Sequence, residues 1–364
     1  MHAVPLHGLT ADSLAREARA RLPAGAGVAR RVYRTAVLEG RYAPEELGIS
    51  ARAAAAWRDA FAFELPELAR RIEEPGELGT TVKLVLRLHD GLEIEAVRIP
   101  MGRDRYTLCV SSQVGCKMGC TFCETARMGL IRSLTAAEIV SQLLVARHVA
   151  GFSIRNVVFM GMGEALDNAD ALVAAIRVLC DPGGLAIAQE RLTVCTVGNV
   201  PGIERLAAER LKRINLSVSL NATDDETRSR IMPVNRKTPL AELQRALAAY
   251  RPRRNFALGI NYCLMPGLND TRDDARRIAR FCAPLGRVML NLIPYNPGSA
   301  PLTRAPTEDE ITRFVDWLRE DAVPVRRRVT KGQSVMAACG QLGNPELRAL
   351  HRARRVSESP SAGD

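Results

Sequence analysis

The chain has 364 residues, of which 47% are hydrophobic and 25% are charged. This balance is typical of a soluble globular protein, and it excludes a disordered chain, a collagen-like repeat and a disulfide-stapled miniprotein. Lys and Arg number 51 against 40 Asp and Glu, a formal net charge of +11, and most of the excess lies between residues 91 and 300. A basic field around a folded core suits a polyanionic partner such as RNA or DNA.

The expected cellular compartment follows from three features. A membrane helix needs about 18 consecutive apolar residues, and the sequence contains no such run. The segment from Met1 to Leu22 carries charges every few positions instead of the apolar core of a secretion signal. The nine cysteines are odd in number, which argues against an extracellular disulfide framework. We therefore expect a cytoplasmic protein with reduced thiols and no contact with a membrane.

Residues 1–75 are predicted to form a small helical accessory domain. Their apolar positions recur at helical spacing, and Pro and Gly interrupt them at 23–27, at Pro44 and at Pro66. The stretch from Leu65 to Ile72 is included as the last of these helices.

A β-hairpin is predicted next, within an extension over residues 76–106 that packs on the following domain. Val82–Leu88 and Leu92–Ile99 are rich in β-branched and apolar residues, as strands are. The Asp90-Gly91 pair between them is a strong signal for a hairpin turn.

From residue 107 onward, short apolar runs alternate with segments of helical length. The six candidate strands are Thr107–Val110, Asn156–Met160, Leu192–Thr196, Ile214–Leu220, Leu258–Leu264 and Val288–Ile293. Capping boxes beginning at Thr135, Thr223 and Thr307 mark helix starts. Six βα repeats predict an α/β fold with a parallel sheet, either open or a partial barrel, whose chemistry lies at the carboxyl ends of the strands. Residues 346–364 are predicted to be a disordered tail.

Three cysteines follow the first of these strands at spacings of four and three: Cys116, Cys120 and Cys123. Structural zinc normally takes four protein ligands, and the nearest further thiol, Cys109, lies seven residues upstream on the strand. A [4Fe–4S] cluster held by three thiolates instead leaves one iron open for a substrate or cofactor. Buried thiols and a degenerate zinc site are the simpler alternatives.

This cysteine motif, after the first of six βα repeats, resembles the radical SAM superfamily. The flanking residues resemble the RlmN/Cfr family of RNA adenine methyltransferases in particular. The matching segments are Leu108–Cys116, Cys120–Ala126, Phe159–Glu164, Ile231–Lys237, Leu264–Asp270, Asn291–Asn296 and Ala337–Leu342. The resemblance implies a partial (βα)6 TIM-like barrel over residues 107–345, including a C-terminal catalytic cysteine segment. It also implies one [4Fe–4S] cluster on Cys116, Cys120 and Cys123, with S-adenosylmethionine (SAM) on its open iron.

The resemblance assigns the SAM site to strand ends. Gly163 lets the backbone approach the cofactor, and the Glu164 carboxylate accepts a hydrogen bond from the SAM ammonium group. The remaining residues implied to line this site are Cys195, Ser219, Leu220, Asn221 and Asn296. Without the resemblance, such polar residues are ordinary hydrogen-bonding groups at strand ends.

The resemblance also implies a catalytic set of Cys339, Cys109 and Glu95. Cys339 accepts a methyl group from one SAM, and a radical derived from a second SAM removes hydrogen from it. The resulting methylene radical adds to an adenine ring carbon. Cys109 then forms a disulfide with Cys339 and releases the product, while Glu95 accepts the proton that the ring carbon loses. The motif-free thiols Cys180, Cys263 and Cys282 are interpreted as core residues.

The expected substrate is an adenosine of 23S ribosomal RNA, modified at C2 or C8, with transfer RNA as a further substrate. We favour C2, although Asn221, Cys195 and Ala165 stand where the family commonly has His, Ser and Pro. A one-electron reductant such as flavodoxin and a monomeric state are also expected. The RNA-binding surface is assigned to six arginines of the basic core: Arg251, Arg253, Arg254, Arg276, Arg277 and Arg280.

Two other classes of function remain open at this point. A non-enzymatic metal-cluster module that binds nucleic acid explains the three cysteines and the charge, but neither Gly163-Glu164 nor Cys339. A radical SAM enzyme with a non-RNA substrate explains the βα repeats, but it requires neither a basic surface nor a second pair of cysteines.

Overall fold

A computed structural model describes residues 3–344 of the chain. Within them, one sheet has ten strands whose spatial order equals their order in the sequence. We label these strands β1 (Glu67–Glu74), β2 (Thr81–Arg87), β3 (Glu93–Pro100), β4 (Tyr106–Cys109), β5 (Asn156–Phe159), β6 (Leu192–Thr196), β7 (Asn215–Ser219), β8 (Leu258–Leu264), β9 (Val288–Pro294) and β10 (Val325–Arg327). Two short strand pairs lie outside this sheet: Val4–Pro5 with Phe61–Ala62, and Gln113–Val114 with Arg132–Ser133.

The sheet combines an antiparallel and a parallel half. Neighbours from β1 to β4 are antiparallel, and neighbours from β4 to β10 are parallel. Because each parallel strand pairs with the next one in the chain, the carboxyl ends of β4 to β10 share one edge. The predicted α/β partial barrel is confirmed. Its last strand, β10, was not predicted, because three residues with two arginines carry no hydrophobic pattern.

The described chain contains eleven α-helices. They are α1 (Ala11–Arg21), α2 (Ala29–Glu39), α3 (Ala51–Ala60), α4 (Glu124–Met128), α5 (Ala136–Leu144), α6 (Ala169–Leu179), α7 (Val200–Ala208), α8 (Asp225–Ile231), α9 (Leu240–Ala249), α10 (Arg272–Cys282) and α11 (Glu308–Glu320). None of these helices is long and apolar enough to cross a membrane.

The N-terminal helices share one continuous hydrophobic core with the barrel. The amide of Ala11, at the start of α1, donates to the Asp181 carboxylate after α6 at 2.5 Å. Tyr33 of α2 packs so closely on Gly184 that a Cβ there would lie 2.5 Å from its ring. Trp57 of α3 is fully buried, and its indole N–H donates to the Gly25 carbonyl at 3.1 Å. The contacts of Ala11 and Tyr33 thus hold α1 and α2 against the loop after α6, and that of Trp57 holds α3 against the residues before α2.

Two local predictions are wrong for physical reasons. The helix predicted from Leu65 to Ile72 is instead β1, which pairs with β2 and has a β-bulge between Leu68 and Arg70. The bulge breaks the alternation of the strand, so that its apolar residues recur at helical spacing. The capping box predicted at Thr223 is absent, since the Asp224 side chain caps α8. The predicted tail, residues 346–364, lies outside the described residues.

The buried indole of Trp57 generates a stability prediction. Replacement of Trp57 by Ala removes this side chain and its hydrogen bond, so we expect the free energy of unfolding in urea to fall by about 3–5 kcal/mol. The matched control is Leu38→Ala, because Leu38 is 40% exposed on the neighbouring helix. Equal effects of the two substitutions would contradict the packing described here.

Candidate active site

A cavity opens to solvent at the carboxyl ends of the parallel strands, where ligands of α/β folds usually bind. The lining residues with cysteine or polar side chains are Cys120, Cys123, Glu164, Cys195, Thr196, Ser219, Asn221, Asn261, Cys263, Tyr295 and Cys339. The cavity therefore gathers predicted cluster, SAM and catalytic residues from distant parts of the sequence.

The loop that carries the three cluster cysteines is folded tightly between the strand Gln113–Val114 and α4. The amide of Cys116 donates to the Gly129 carbonyl at 3.1 Å. Gly115 has φ +76°, and a Cβ on it would lie 1.8 Å from the same carbonyl oxygen, so only glycine fits there. The amide of Cys123, the residue before α4, donates to the Cys120 carbonyl at 3.2 Å. The loop thus presents its thiols beside the cavity.

Burial disfavours the thiolate form of these cysteines. It raises the pKa of Cys116 to about 12 and holds the pKa of Cys120 well above the ordinary range. A bound cation is what makes such buried thiols ionise. Within the described residues, no three His, Cys, Asp or Glu side chains stand close enough to share one metal ion. A [4Fe–4S] cube does not need three side chains on one ion, because each thiolate binds a different iron. The donor set therefore fits the cube.

Glu164 follows β5 and is nearly fully buried. Its carboxylate accepts from the amides of Val197 at 2.9 Å and Leu166 at 3.2 Å. Burial outweighs these bonds and raises the pKa of Glu164 to about 7. The preceding Gly163 has φ +96° and a Cβ there would lie 2.6 Å from the Gln113 side chain. A buried carboxyl beside three thiols can accept hydrogen bonds from a cationic ligand.

The other residues predicted for the SAM site divide into two groups. Cys195, Ser219 and Asn221 line the cavity as predicted. Asn221 adopts φ +56°, which Asn tolerates better than most residues, and its side-chain oxygen accepts from the Cys263 amide at 2.9 Å. Leu220 does not line the cavity, because its side chain points into the hydrophobic core on the opposite face of β7's end.

Asn296 also lies outside the cavity lining, but it contacts Cys339, which lines the cavity. Its side-chain amide donates to the Cys339 carbonyl at 3.4 Å. Neighbouring groups bind the same segment: the Glu124 amide donates to the Gly340 carbonyl at 2.8 Å, and the Thr125 hydroxyl to Leu342 at 2.5 Å. Helix α4, which begins directly after Cys123, thus holds the segment of Cys339 in place.

The antiparallel strands hold this segment from the other side. Glu74 of β1 accepts from the Ser334 amide at 2.7 Å, and Lys83 of β2 donates to the Met336 carbonyl at 3.2 Å. Glu95 of β3 accepts from the Gly343 amide at 3.0 Å and lies 3.4 Å from the Lys83 ammonium group. Glu95 is buried but does not line the cavity, so the structure places the predicted proton acceptor behind the Cys339 segment.

Cys109 is the last residue of β4 and is buried beside the cavity rather than in its lining. Burial raises the pKa of its thiol far above the ordinary range, and the charge of Cys339 acts in the same direction. Arg328 acts in the opposite direction on both thiols. Cys109 and Cys339 are therefore electrostatic neighbours, and both are free thiols.

Three residues of this region were missed or misassigned from the sequence. Cys263 was interpreted as core, yet it lines the cavity together with Asn261. Both stand near the carboxyl end of β8 with one residue between them, and this alternation was the available signal. The third residue, Arg228 of α8, is buried. Nothing in the sequence indicates this burial, since an arginine in a polar helix normally faces solvent.

The basic residues assigned to RNA binding lie elsewhere. Arg251, Arg253 and Arg254 connect α9 to the start of β8, at the edge of the sheet opposite the cavity. Arg253 donates to the carbonyl of Lys212. The other three belong to α10, where Arg276 and Arg277 pair with the carboxylates of that same helix. None of these six arginines lines the cavity, and their assignment to RNA binding stays a prediction.

A three-thiol loop at the carboxyl ends of a partial α/β barrel is the arrangement that radical SAM enzymes use. The model of the radical SAM superfamily matches residues 110–282. A solved structure of a radical SAM methyltransferase from Sphaerobacter thermophilus superposes with a TM-score of 0.84 at 35% identity, covering 93% of this chain and 99% of that one.

Two RNA methyltransferases are similar to this chain at higher sequence identity than that solved structure. A probable dual-specificity RNA methyltransferase RlmN 1 from Protochlamydia amoebophila is 46% identical over 270 residues, 74% of this chain and 75% of its own. A dual-specificity RNA methyltransferase RlmN from Syntrophotalea carbinolica is 45% identical over 262 residues, 72% of this chain and 69% of its own. The chain belongs to the RlmN family of radical SAM methyltransferases, which use a [4Fe–4S] cluster and SAM.

The cluster loop can be tested by removing one thiol. We expect Cys120→Ala to abolish cluster assembly during anaerobic reconstitution, because two thiolates do not hold a cube. Iron content and visible absorbance measure the loss. Cys282→Ala is the matched control, because that thiol is buried in the core away from the cavity. A Cys120→Ala protein that binds iron as the control does would disprove the assignment.

The raised pKa of Glu164 predicts a pH dependence of the cluster-free protein. A carboxyl whose pKa rises from its ordinary value of 4.5 to about 7 in the folded protein takes up a proton on folding between these pH values. The free energy of unfolding therefore falls as the pH rises through this window. Glu164→Gln should remove this part of the slope in urea titrations, whereas Glu204→Gln, at an exposed position, should leave it. Parallel slopes in wild type and Glu164→Gln would contradict the prediction.

Proposed function

We propose that the protein methylates an adenine ring carbon of 23S ribosomal RNA, preferentially C2, with transfer RNA as a second substrate. The observation that carries the proposal is the presence of Cys339 in the same cavity as two cluster cysteines and Glu164. A cofactor site for SAM alone needs no further thiol. Support for an RNA substrate comes from the relatives, which are named dual-specificity RNA methyltransferases.

The reaction needs a thiol because an adenine C2 or C8 carbon is electrophilic and cannot attack a methyl donor. When bound, the cluster and SAM supply the radical that activates a methyl group. Cys339 is exposed within the cavity and carries that methyl group to the adenine. Cys109, its buried electrostatic neighbour, is the thiol for the disulfide that releases the product. Glu95 accepts the proton that the ring carbon loses, while its Oε2 accepts from the Gly343 amide.

The RNA reaches the cavity past a second group of basic residues. Arg326 and Arg328 are exposed and directly precede the segment that carries Cys339. The charge of Arg328 acts on the Cys339 thiol, so that a phosphate bound there would lie near the reacting group. A one-electron reductant such as flavodoxin supplies the electron for the cluster. The enzyme acts as a monomer in the cytoplasm.

Replacement of Cys339 tests this function directly. We expect Cys339→Ala to lose RNA methylation entirely while still cleaving SAM after reduction, because the cluster and Glu164 are retained. Mass spectrometry of ribosomal RNA, and of transfer RNA, measures the methylated adenosine and distinguishes its C2 and C8 isomers. Cys180→Ala is the control, since this thiol lies outside the cavity.

Two outcomes would overturn the proposal. Full methylation by Cys339→Ala would exclude a methyl-cysteine intermediate. Wild-type protein that cleaves SAM but leaves both RNAs unmodified would instead favour a radical SAM enzyme with a non-RNA substrate.

A further inference from the structure

Arg228 is a buried cation that no part of the proposed reaction uses. It lies on α8 and is 1% exposed, and its hydrogen bonds all go to neutral oxygens. Its Nε donates to the Leu220 carbonyl at 3.0 Å, and one Nη to the Asn235 side chain at 2.8 Å. The other Nη donates to the carbonyls of Val197 at 2.7 Å and Ser219 at 3.2 Å.

Arg228 forms no ion pair with a carboxylate anywhere in residues 3–344. Asp225 is reached only through Asn235, whose amide donates to it at 2.9 Å. A buried guanidinium without an anionic partner is strongly unfavourable, and proteins normally compensate such a charge. An anion near Arg228 would therefore stabilise its charge, and no carboxylate of the described residues pairs with it.

The cluster loop is the neighbour that meets this requirement. Ile231, the last residue of α8, accepts from the Thr121 amide at 3.0 Å, and Met232 packs with Cys116 and Cys120. The charges of Arg228 and the Cys120 thiolate act on each other. A cube bound by three thiolates is anionic and gains one more negative charge on reduction. A buried cation beside it stabilises the reduced state more than the oxidised one.

We propose that Arg228 is a positioning residue of the cofactor site with two effects on the cluster and SAM. Its charge eases reduction of the cluster. Its planar fork joins the residue after β6 to the end of β7 through the carbonyls of Val197 and Ser219, both of which line the cavity. The two effects can be separated, because Lys retains the charge but not the fork.

The experiment compares Arg228→Gln, Arg228→Lys and Arg230→Gln in the reconstituted holoenzyme without RNA. Arg230 lies on the same helix but is exposed, so its variant is the matched control. At a fixed solution potential, we expect the ratio of reduced to oxidised cluster to fall about tenfold in Arg228→Gln only, equivalent to about 59 mV. Potentiometric titration followed by electron paramagnetic resonance measures this ratio. We expect both Arg228 variants to bind SAM about tenfold more weakly, as equilibrium dialysis would show.

If Arg228→Gln kept the wild-type ratio of reduced to oxidised cluster, the electrostatic effect would be refuted. If both Arg228 variants kept the wild-type affinity for SAM, the positioning effect would be refuted. Should Arg228→Gln fail to fold, Asn235→Asp puts a carboxylate against the intact guanidinium and should lower the ratio in the same way. An unchanged ratio in that variant would equally refute the proposal. Since neither readout involves RNA, the result is independent of the proposed substrate.

Discussion

Buried peptide groups outside helices and strands must still find hydrogen-bond partners, and this requirement places Cys339. The segment from Gly332 to Gly343 has no regular structure, so side chains and helix ends must bind its polar groups. The antiparallel strands supply Glu74, Lys83 and Glu95 from one side, and α4 supplies donors from the other. These strands therefore support the candidate active site from outside, although none of their side chains lines the cavity.

The same arrangement couples Cys339 to the metal centre. Helix α4 begins one residue after Cys123, and its first amide binds the Gly340 carbonyl. Disorder in the cluster loop would therefore also release the segment that follows Cys339. Ile231, at the end of the helix that carries Arg228, accepts from the Thr121 amide of this loop. Hydrogen bonds thus connect the loop of the three cysteines proposed as iron ligands to the segment of Cys339, the thiol proposed to carry the methyl group.

The sequence predicts the parallel strands well, because buried strands are short apolar runs bounded by helix caps. The strands β6 and β8 match the prediction at both ends. Prediction failed where tertiary contacts override local pattern. The Thr223 hydroxyl binds Asp274 of α10 instead of capping α8, and a bulge gives β1 a helical spacing. Most of the predicted cofactor residues line the cavity, whereas Leu220, Asn296 and Glu95 do not, because their positions depend on side-chain direction and tertiary packing. The edge of the sheet at which a charged residue lies depends on topology, which a charge count does not contain.

The first strand has a consequence for how molecules of this protein meet. Within the described chain β1 ends the sheet, and its outer edge offers unpaired peptide groups to any other extended chain. Arg70, Arg71 and Glu73 are exposed along it. A second copy that added a strand there would have to dehydrate these charges, so sheet growth between molecules is opposed. The strand whose Glu74 binds the Cys339 segment thus also carries the charges that oppose pairing at this edge.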